Sequence, residues 1–252
     1  MIEGKNISKS FNGRKVIENI SVSFDKGITN LIIGQSGMGK TVLLKCLVGL
    51  FEADEGQVFY DDRAFSKMSF KEMKEIRQEI GMLFQGGALF DSLTVEENVV
   101  FPLTMFTNQT ASQKLERANF CLSRVNLENA NKLYPSELSG GMKKRVAIAR
   151  AISMNPRYLF CDEPNSGLDP PTAHLIDELI REITIEYNMT TVVVTHDMNS
   201  VLEIGEKIYF LYQGKLWWEG DKHNILHTDN PELQEFVFTS ELTKKLRPVK
   251  RV

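Results

Sequence analysis

Over the first 24 residues the apolar positions Ile2, Val16, Ile20, Val22 and Phe24 stand among polar neighbours. This alternation predicts strands of an antiparallel sheet with one face open to water. The pattern then changes. Leu31-Ile32-Ile33 is a continuous apolar run closed by Gly34, and two similar runs follow, 158–161 ended by Asp162 and 191–195 ended by His196. Such runs fit strands covered on both faces in a parallel sheet. Helical patterns occupy 40–50, 112–132 and 141–154, and another follows Pro170-Pro171 as far as Tyr187. In 112–132 one face carries Leu115, Ala118, Cys121, Leu122 and Val125. Ser69 and Glu72 have capping-box spacing and open a charged helix expected to reach Ile80. A hairpin is predicted over 57–65 around Asp61-Asp62, and two last strands over 207–211 and 216–219 with Gly214 in the turn. Alternating strands and helices predict an α/β protein with crossover helices.

The composition is that of a globular chain with a sizeable core. Of 252 residues, 42% are hydrophobic and 25% charged, which excludes disordered and fibrous classes. The longest charge-free run, 98–113, contains Pro102, Asn108 and Gln109. It is shorter than the roughly 18 apolar residues of a membrane span. The first residues lack the apolar stretch of a signal peptide. Cys46, Cys121 and Cys161 are odd in number and without metal-ligand spacing, so they read as small core hydrophobes of a reducing compartment. The formal charge is −3, but residues 241–252 carry five cations against Glu241. That is +4 for the tail and −7 for the body. An acidic body argues against a nucleic-acid partner, while the tail could meet acidic headgroups, a partner or a second protomer.

The chemistry begins at Gly34-Gln35-Ser36-Gly37-Met38-Gly39-Lys40-Thr41, which fits G-x-x-x-x-G-K-[ST] at every position. It follows an apolar strand and opens a helix, the context this phosphate-binding loop requires. Glycines permit the sharp turn and close backbone approach, and the helix start offers free N–H donors. Lys40 is expected on the β- and γ-phosphates and the Thr41 hydroxyl on Mg²⁺. Asp162-Glu163 closes the second apolar run, with Asp162 expected to hold the metal and Glu163 to polarise the attacking water. His196 ends the third run and is expected to contact the γ-phosphate. In open parallel sheets ligands bind beyond the carboxyl ends of strands, where Gly34, Asp162 and His196 all fall.

Leu138-Ser139-Gly140-Gly141-Met142 resembles the signature motif of ABC-transporter ATPases, and it lies before 158–161 as in that family. The resemblance covers about 2–220. It implies a P-loop NTPase (RecA-like) core with an antiparallel β subdomain and an inserted α-helical subdomain at about 91–155, then an extension over 221–252. Gln85 looks like the glutamine that senses Mg²⁺ and contacts the membrane partner. Asp169 in Ser166-Gly167-Leu168-Asp169 looks like the aspartate that crosses the dimer interface. Phe11 stands where the family stacks a ring on adenine, with Val16 beside it. The family pairs head to tail, so each ATP would lie between the phosphate loop of one subunit and Ser139, Gly140 and Gly141 of the other. Every consensus element is present, so a homodimer would hold two competent sites.

The stretch 82–95, Met82-Leu83-Phe84-Gln85-Gly86-Gly87-Ala88-Leu89-Phe90-Asp91-Ser92-Leu93-Thr94-Val95, is similar to the Mla-type phospholipid-transport ATPases of the Gram-negative envelope. Met142, where the wider family has Gln, also fits that group, whereas Asn165 departs from the usual Thr or Phe. The resemblance implies an ATPase driving phospholipid movement between inner and outer membranes, held at the inner face of the inner membrane by a permease. The implied assembly adds an MCE-type lipid-binding protein and a STAS-domain subunit. The alternatives are a solute importer and a regulatory ABC ATPase that moves no substrate. The signature motif argues against a P-loop kinase, and the chain has no room for the coiled coil of DNA-repair relatives.

Overall fold

The computed structural model describes residues 1–239, so the basic tail falls outside the described residues. Strands β1 (Ile2–Phe11) and β2 (Arg14–Phe24) form an antiparallel hairpin. Its two-residue turn, Asn12-Gly13, has positive φ at both positions, as a tight hairpin of this twist requires. Strand β3 (Thr29–Ile33) belongs to a second sheet and feeds helix α1 (Lys40–Leu47). The chain then returns to the first sheet with β4 (Glu55–Tyr60) and β5 (Arg63–Ala64), turning at Asp61-Asp62 as expected. The first sheet is therefore antiparallel, in the order β2-β1-β4-β5.

Helix α2 (Phe70–Gln78) has the predicted Ser69/Glu72 capping box but stops before Ile80. Residues Ile80–Leu83 instead form β6, an edge strand that the hydrophobic pattern did not separate from the helix. Gly81 explains the placement: a Cβ there would come 2.6 Å from the Ala151 carbonyl oxygen, so the strand runs tightly under a helix. Three helices follow, α3 (Val95–Phe106), α4 (Ala111–Arg124) and α5 (Gly140–Ile152). Helix α3 contains Pro102, which interrupts the helical pattern of its sequence. A Thr94/Glu97 capping box starts it, and buried Asn98 anchors it by bonding the backbone of Phe90, Leu93 and Thr94. Helix α4 ends earlier than expected. Beyond Val125 the chain turns through Asn126 and Asn129, both with left-handed φ.

The remaining elements are β7 (Tyr158–Asp162), α6 (Pro170–Glu186), β8 (Thr190–Thr195), α7 (Met198–Ile204), β9 (Lys207–Tyr212), β10 (Lys215–Gly220) and α8 (Pro231–Val237). Of these, α7 and α8 are too short to show a helical period in the sequence. The second sheet has the order β10-β9-β3-β8-β7-β6, parallel from β9 to β6, with β10 antiparallel at the edge.

Both faces of that sheet are buried, which is why its strands are continuous apolar runs. The period of two still sorts them. Leu31, Ile33, Leu159, Cys161 and Val193 join a core shared with α5 and α6, whereas Ile32, Tyr158, Phe160, Val192 and Val194 face α1 and the antiparallel sheet. All three cysteines are buried and free, as expected of small core residues. No helix among the described residues is long and apolar enough to cross a membrane.

Candidate nucleotide and metal site

The loop between β3 and α1 is shaped by backbone that only glycine accommodates. Gly34 has φ +145, and a Cβ there would lie 2.4 Å from the Leu211 carbonyl oxygen. Gly39 has φ +95, and a Cβ would meet the Ile17 Cγ2 at 2.5 Å. Gly39 is also the N-cap of α1 and gives it no side-chain hydrogen bond. The first-turn N–H groups of α1 therefore lack the usual side-chain acceptor, the condition for anion binding at a helix start. Lys40 is 6% exposed, and its Nζ donates to the carbonyls of Gly34 (2.7 Å) and Gln35 (3.1 Å). Burial lowers its pKa, opposed by the nearby Glu163 and Asp162 carboxylates.

Strands β7 and β8 bring the other expected residues to the same end of the sheet. The Thr41 hydroxyl donates to Asp162 Oδ1 at 3.0 Å. Burial raises the Asp162 pKa, and the Thr41 hydrogen bond opposes it. A hydroxyl beside one buried carboxylate suits Mg²⁺, which takes few protein ligands and fills its octahedron with phosphate and water. Among the described residues no group of three or more His, Cys, Asp or Glu forms a fuller metal cage. Glu163 Oε1 lies 3.7 Å from Lys40 Nζ, and its Oε2 lies 2.8 Å from His196 Nδ1. Glu163 has φ +49, a conformation that a non-glycine residue keeps only where its surroundings enforce it. Its own N–H is fixed by the Val194 carbonyl at 2.9 Å. Gln35, Ser36, Glu163, Thr195 and His196 line one open cleft of about 680 Å³.

The other predicted residues fall elsewhere. Phe11, 39% exposed, packs edge-on against Phe51 at 5.3 Å with the Lys9 ammonium 5.6 Å from its ring centre. The Val16 carbonyl borders the positions where Gly39 and Gly214 would carry side chains. Gln85 donates from Nε2 to Ser166 Oγ at 3.4 Å. Ser139 caps α5 by accepting from the Met142 N–H, and Asp169 caps α6 by accepting from the Thr172 N–H and hydroxyl. Ser139, Gly140, Gly141 and Asp169 line a second cleft of about 370 Å³ that contains none of the phosphate-loop residues. The two clefts share Gly167 at their border. One chain thus presents two clefts whose linings differ except at this residue.

Sequence reasoning missed two cations on α5. Lys144, 5% exposed, donates to the Gln85 carbonyl and, at 3.4 Å, to the Glu163 carbonyl. Arg150 donates to the carbonyls of Gly87 and Ala88, both at 2.7 Å. Burial lowers the pKa of both groups. Helix α5, which opens with the signature residues, therefore grips the loop after Gln85 by its backbone. Lysine and arginine on a helix usually read as a solvated face, so only their helical phase relative to Val146 and Ala147 hinted at burial.

Known proteins share much of this sequence and fold. The family described as ABC transporter matches residues 17–166. The methionine import ATP-binding protein MetN of Clostridium tetani is 40% identical over 96% of this chain and 76% of its own length. The intermembrane phospholipid transport system ATP-binding protein MlaF of Haemophilus influenzae is 35% identical over 94% of this chain and 90% of its own. The probable ribonucleotide transport ATP-binding protein mkl of Mycobacterium leprae is 35% identical over 94% and 68%. Among solved structures, the dimeric ABC transporter cassette MJ0796 has a TM-score of 0.81 at 33% identity, covering 88% of this chain and 99% of that one. A dimeric post-hydrolysis state of the same cassette, bound to ADP and Pi, has a TM-score of 0.80. With a phosphate loop, a strand-end carboxylate pair and a separate signature cleft on one α/β scaffold, this chain belongs to the ABC transporter family and is one of its ATP-hydrolysing subunits.

Proposed function

We propose that this chain powers phospholipid movement between the inner and outer membranes as one half of a head-to-tail homodimer. In this reading Lys40 and the N–H groups of 34–41 hold the β- and γ-phosphates, and Phe11 and Val16 border the adenine. Thr41 and Asp162, with Gln85, hold Mg²⁺, which shields phosphate charge when bound. Glu163 orients and deprotonates the attacking water, and His196 holds both Glu163 and the γ-phosphate. A second protomer supplies Ser139, Gly140, Gly141 and Asp169 to close the site. The separation of the two clefts within one chain supports that division of labour.

The observation that carries the transport reading is the surface around 82–95. Met82, Phe84, Phe90, Phe101, Pro102 and Phe106 line an apolar groove of about 440 Å³ beside the loop gripped by Arg150. A groove of this kind suits a short helix of a membrane permease, which would hold the dimer at the cytoplasmic face of the inner membrane. The Mla-type pattern of the same stretch and the similarity to the Haemophilus phospholipid-transport subunit favour lipid as the cargo, with an MCE-type protein and a STAS-domain subunit as further partners. The test is to purify the chain with its co-expressed neighbours and reconstitute them in liposomes carrying fluorescent phospholipid. ATP-dependent lipid transfer is expected. Lipid-independent complexes that take up methionine instead would overturn the cargo assignment in favour of an importer, the reading favoured by the 40% identity to the Clostridium protein. Turnover that moves neither cargo would support a regulatory subunit.

A further inference from the structure

Asn165 departs from the residues usual at its position, and the fold supplies a reason. It lies two residues past Glu163 and is 9% exposed. Its Nδ2 donates to Ser200 Oγ at 3.1 Å. Ser200 is buried on α7, the helix that follows His196. The carboxyl of Asp177, buried on α6, the helix capped by Asp169, stands beside this pair, and both side chains favour its charged form. Three elements, each carrying one residue assigned to the nucleotide, thus meet at a single buried polar point. Asn165 Oδ1 and Asp177 Oδ1 have no hydrogen-bond partner among the described residues. An incompletely paired buried cluster is a poor source of stability, and its better-attested use is to fix one arrangement of the groups around it.

We propose that Asn165, Ser200 and Asp177 form a positioning network that sets the Glu163 loop and the His196 helix at one spacing over the γ-phosphate. It rests on the reading that Glu163 and His196 serve that phosphate. The ionised carboxylate is the working form, because its charge attracts the Ser200 hydroxyl and the Asn165 amide N–H and draws their two elements toward α6. Burial, with Glu203 and Asp197 adding to it, holds Asp177 up at about 6. The other titratable groups facing the cluster are Cys161 on β7 and His174 on α6, which pairs with Glu203 at 2.8 Å. Because the folded-state pKa is raised above the ordinary 3.8, the stability contributed by the neutral acid is lost as pH rises through about 6.

The test uses the full chain and ATP turnover. Asp177→Asn keeps the side-chain volume and stays neutral at every pH. It is expected to melt higher than wild type at pH 8, by a margin that shrinks toward pH 5. It should nonetheless turn over about 10-fold more slowly at pH 8 with KM unchanged, the scale of a small misplacement of reacting groups. The wild-type to variant ratio should fall toward one below pH 6, and because Glu163 and His196 are common to both proteins, that ratio isolates Asp177. Ser200→Ala, a milder change, should lower kcat in the same direction without moving KM. A ratio constant from pH 5 to 8, or slow turnover matched by a loss of folded protein, overturns the network. Full turnover in Glu163→Gln would instead remove the base assignment, a separate outcome.

Discussion

Two helices in this chain start on glycine-containing turns built for anions, and they differ in what accompanies them. Helix α1 begins after Gly39 with no side-chain cap, and the same turn brings Lys40 and Thr41, with Asp162 and Glu163 close by. Helix α5 begins at Gly140 with Ser139 as its cap, and its cleft holds the cation Arg145 and a Thr172 hydroxyl that donates to Asp169, but no lysine stands among its lining residues. In the proposed reading the first start holds the nucleotide and its metal. The second has backbone N–H groups and a hydroxyl to add, and suits completing a site whose charges are assembled elsewhere. A bare helix start is enough to attract a phosphate, but hydrolysis needs a base and charge neutralisation, which the proposed reading assigns to Glu163 and Lys40 at the first start.

The largest effect should come from removing the base at the first start. Glu163→Gln is expected to lower turnover about 10²- to 10⁴-fold, the range for loss of a general base, while calorimetry still reports ATP binding. Near-wild-type turnover would detach catalysis from the α1 side. Lys40→Ala should weaken ATP binding itself, by roughly 10- to 100-fold for a lost charge-assisted hydrogen bond. Unchanged affinity would leave the α1 start no better equipped than α5.

Ser139→Ala should behave differently, slowing turnover by about 10-fold through one lost capping or phosphate contact and leaving the ATP affinity of the isolated chain intact. Mixing Lys40→Ala and Ser139→Ala chains sharpens the point. A head-to-tail heterodimer of the two has one intact composite site, so turnover should rise above either variant alone; a mixture no better than its components would place both half-sites of each ATP in one chain. The smallest change should follow Arg150→Met, which releases the Gly87 and Ala88 carbonyls from α5. A loss of about 1–3 kcal/mol is expected, read as a lower melting temperature, and coupling of turnover to the membrane partner should suffer more than basal turnover. Unaltered coupling would mean that the signature helix and the 85–95 loop move independently.

The legible parts were those in which local chemistry dictates local structure. The phosphate loop, the carboxylate pair and His196 could be read because a tight turn needs glycine and because apolar runs end where a buried strand ends. Strand β6 was hidden because four residues directly after a helix carry no period of their own, and α3 because Pro102 reads as a break. Lys144 and Arg150 were hidden for a different reason. Their charge predicts exposure, and only carbonyls brought over α5 from elsewhere in the chain make it tolerable to bury Lys144 and half-bury Arg150.

By itself, the sequence determined which residues are expected at phosphate and metal, since that expectation depends on backbone conformation and side-chain type within a few positions. It also determined that the central strands would be covered on both faces. The tertiary structure decided which of those residues meet. It paired Glu163 with His196 across two parallel strands, set the signature residues in a cleft apart from the phosphate loop, and gathered Asn165, Asp177 and Ser200 into one buried cluster. Such meetings depend on strand order and helix packing between positions far apart in the chain, and no local pattern records them.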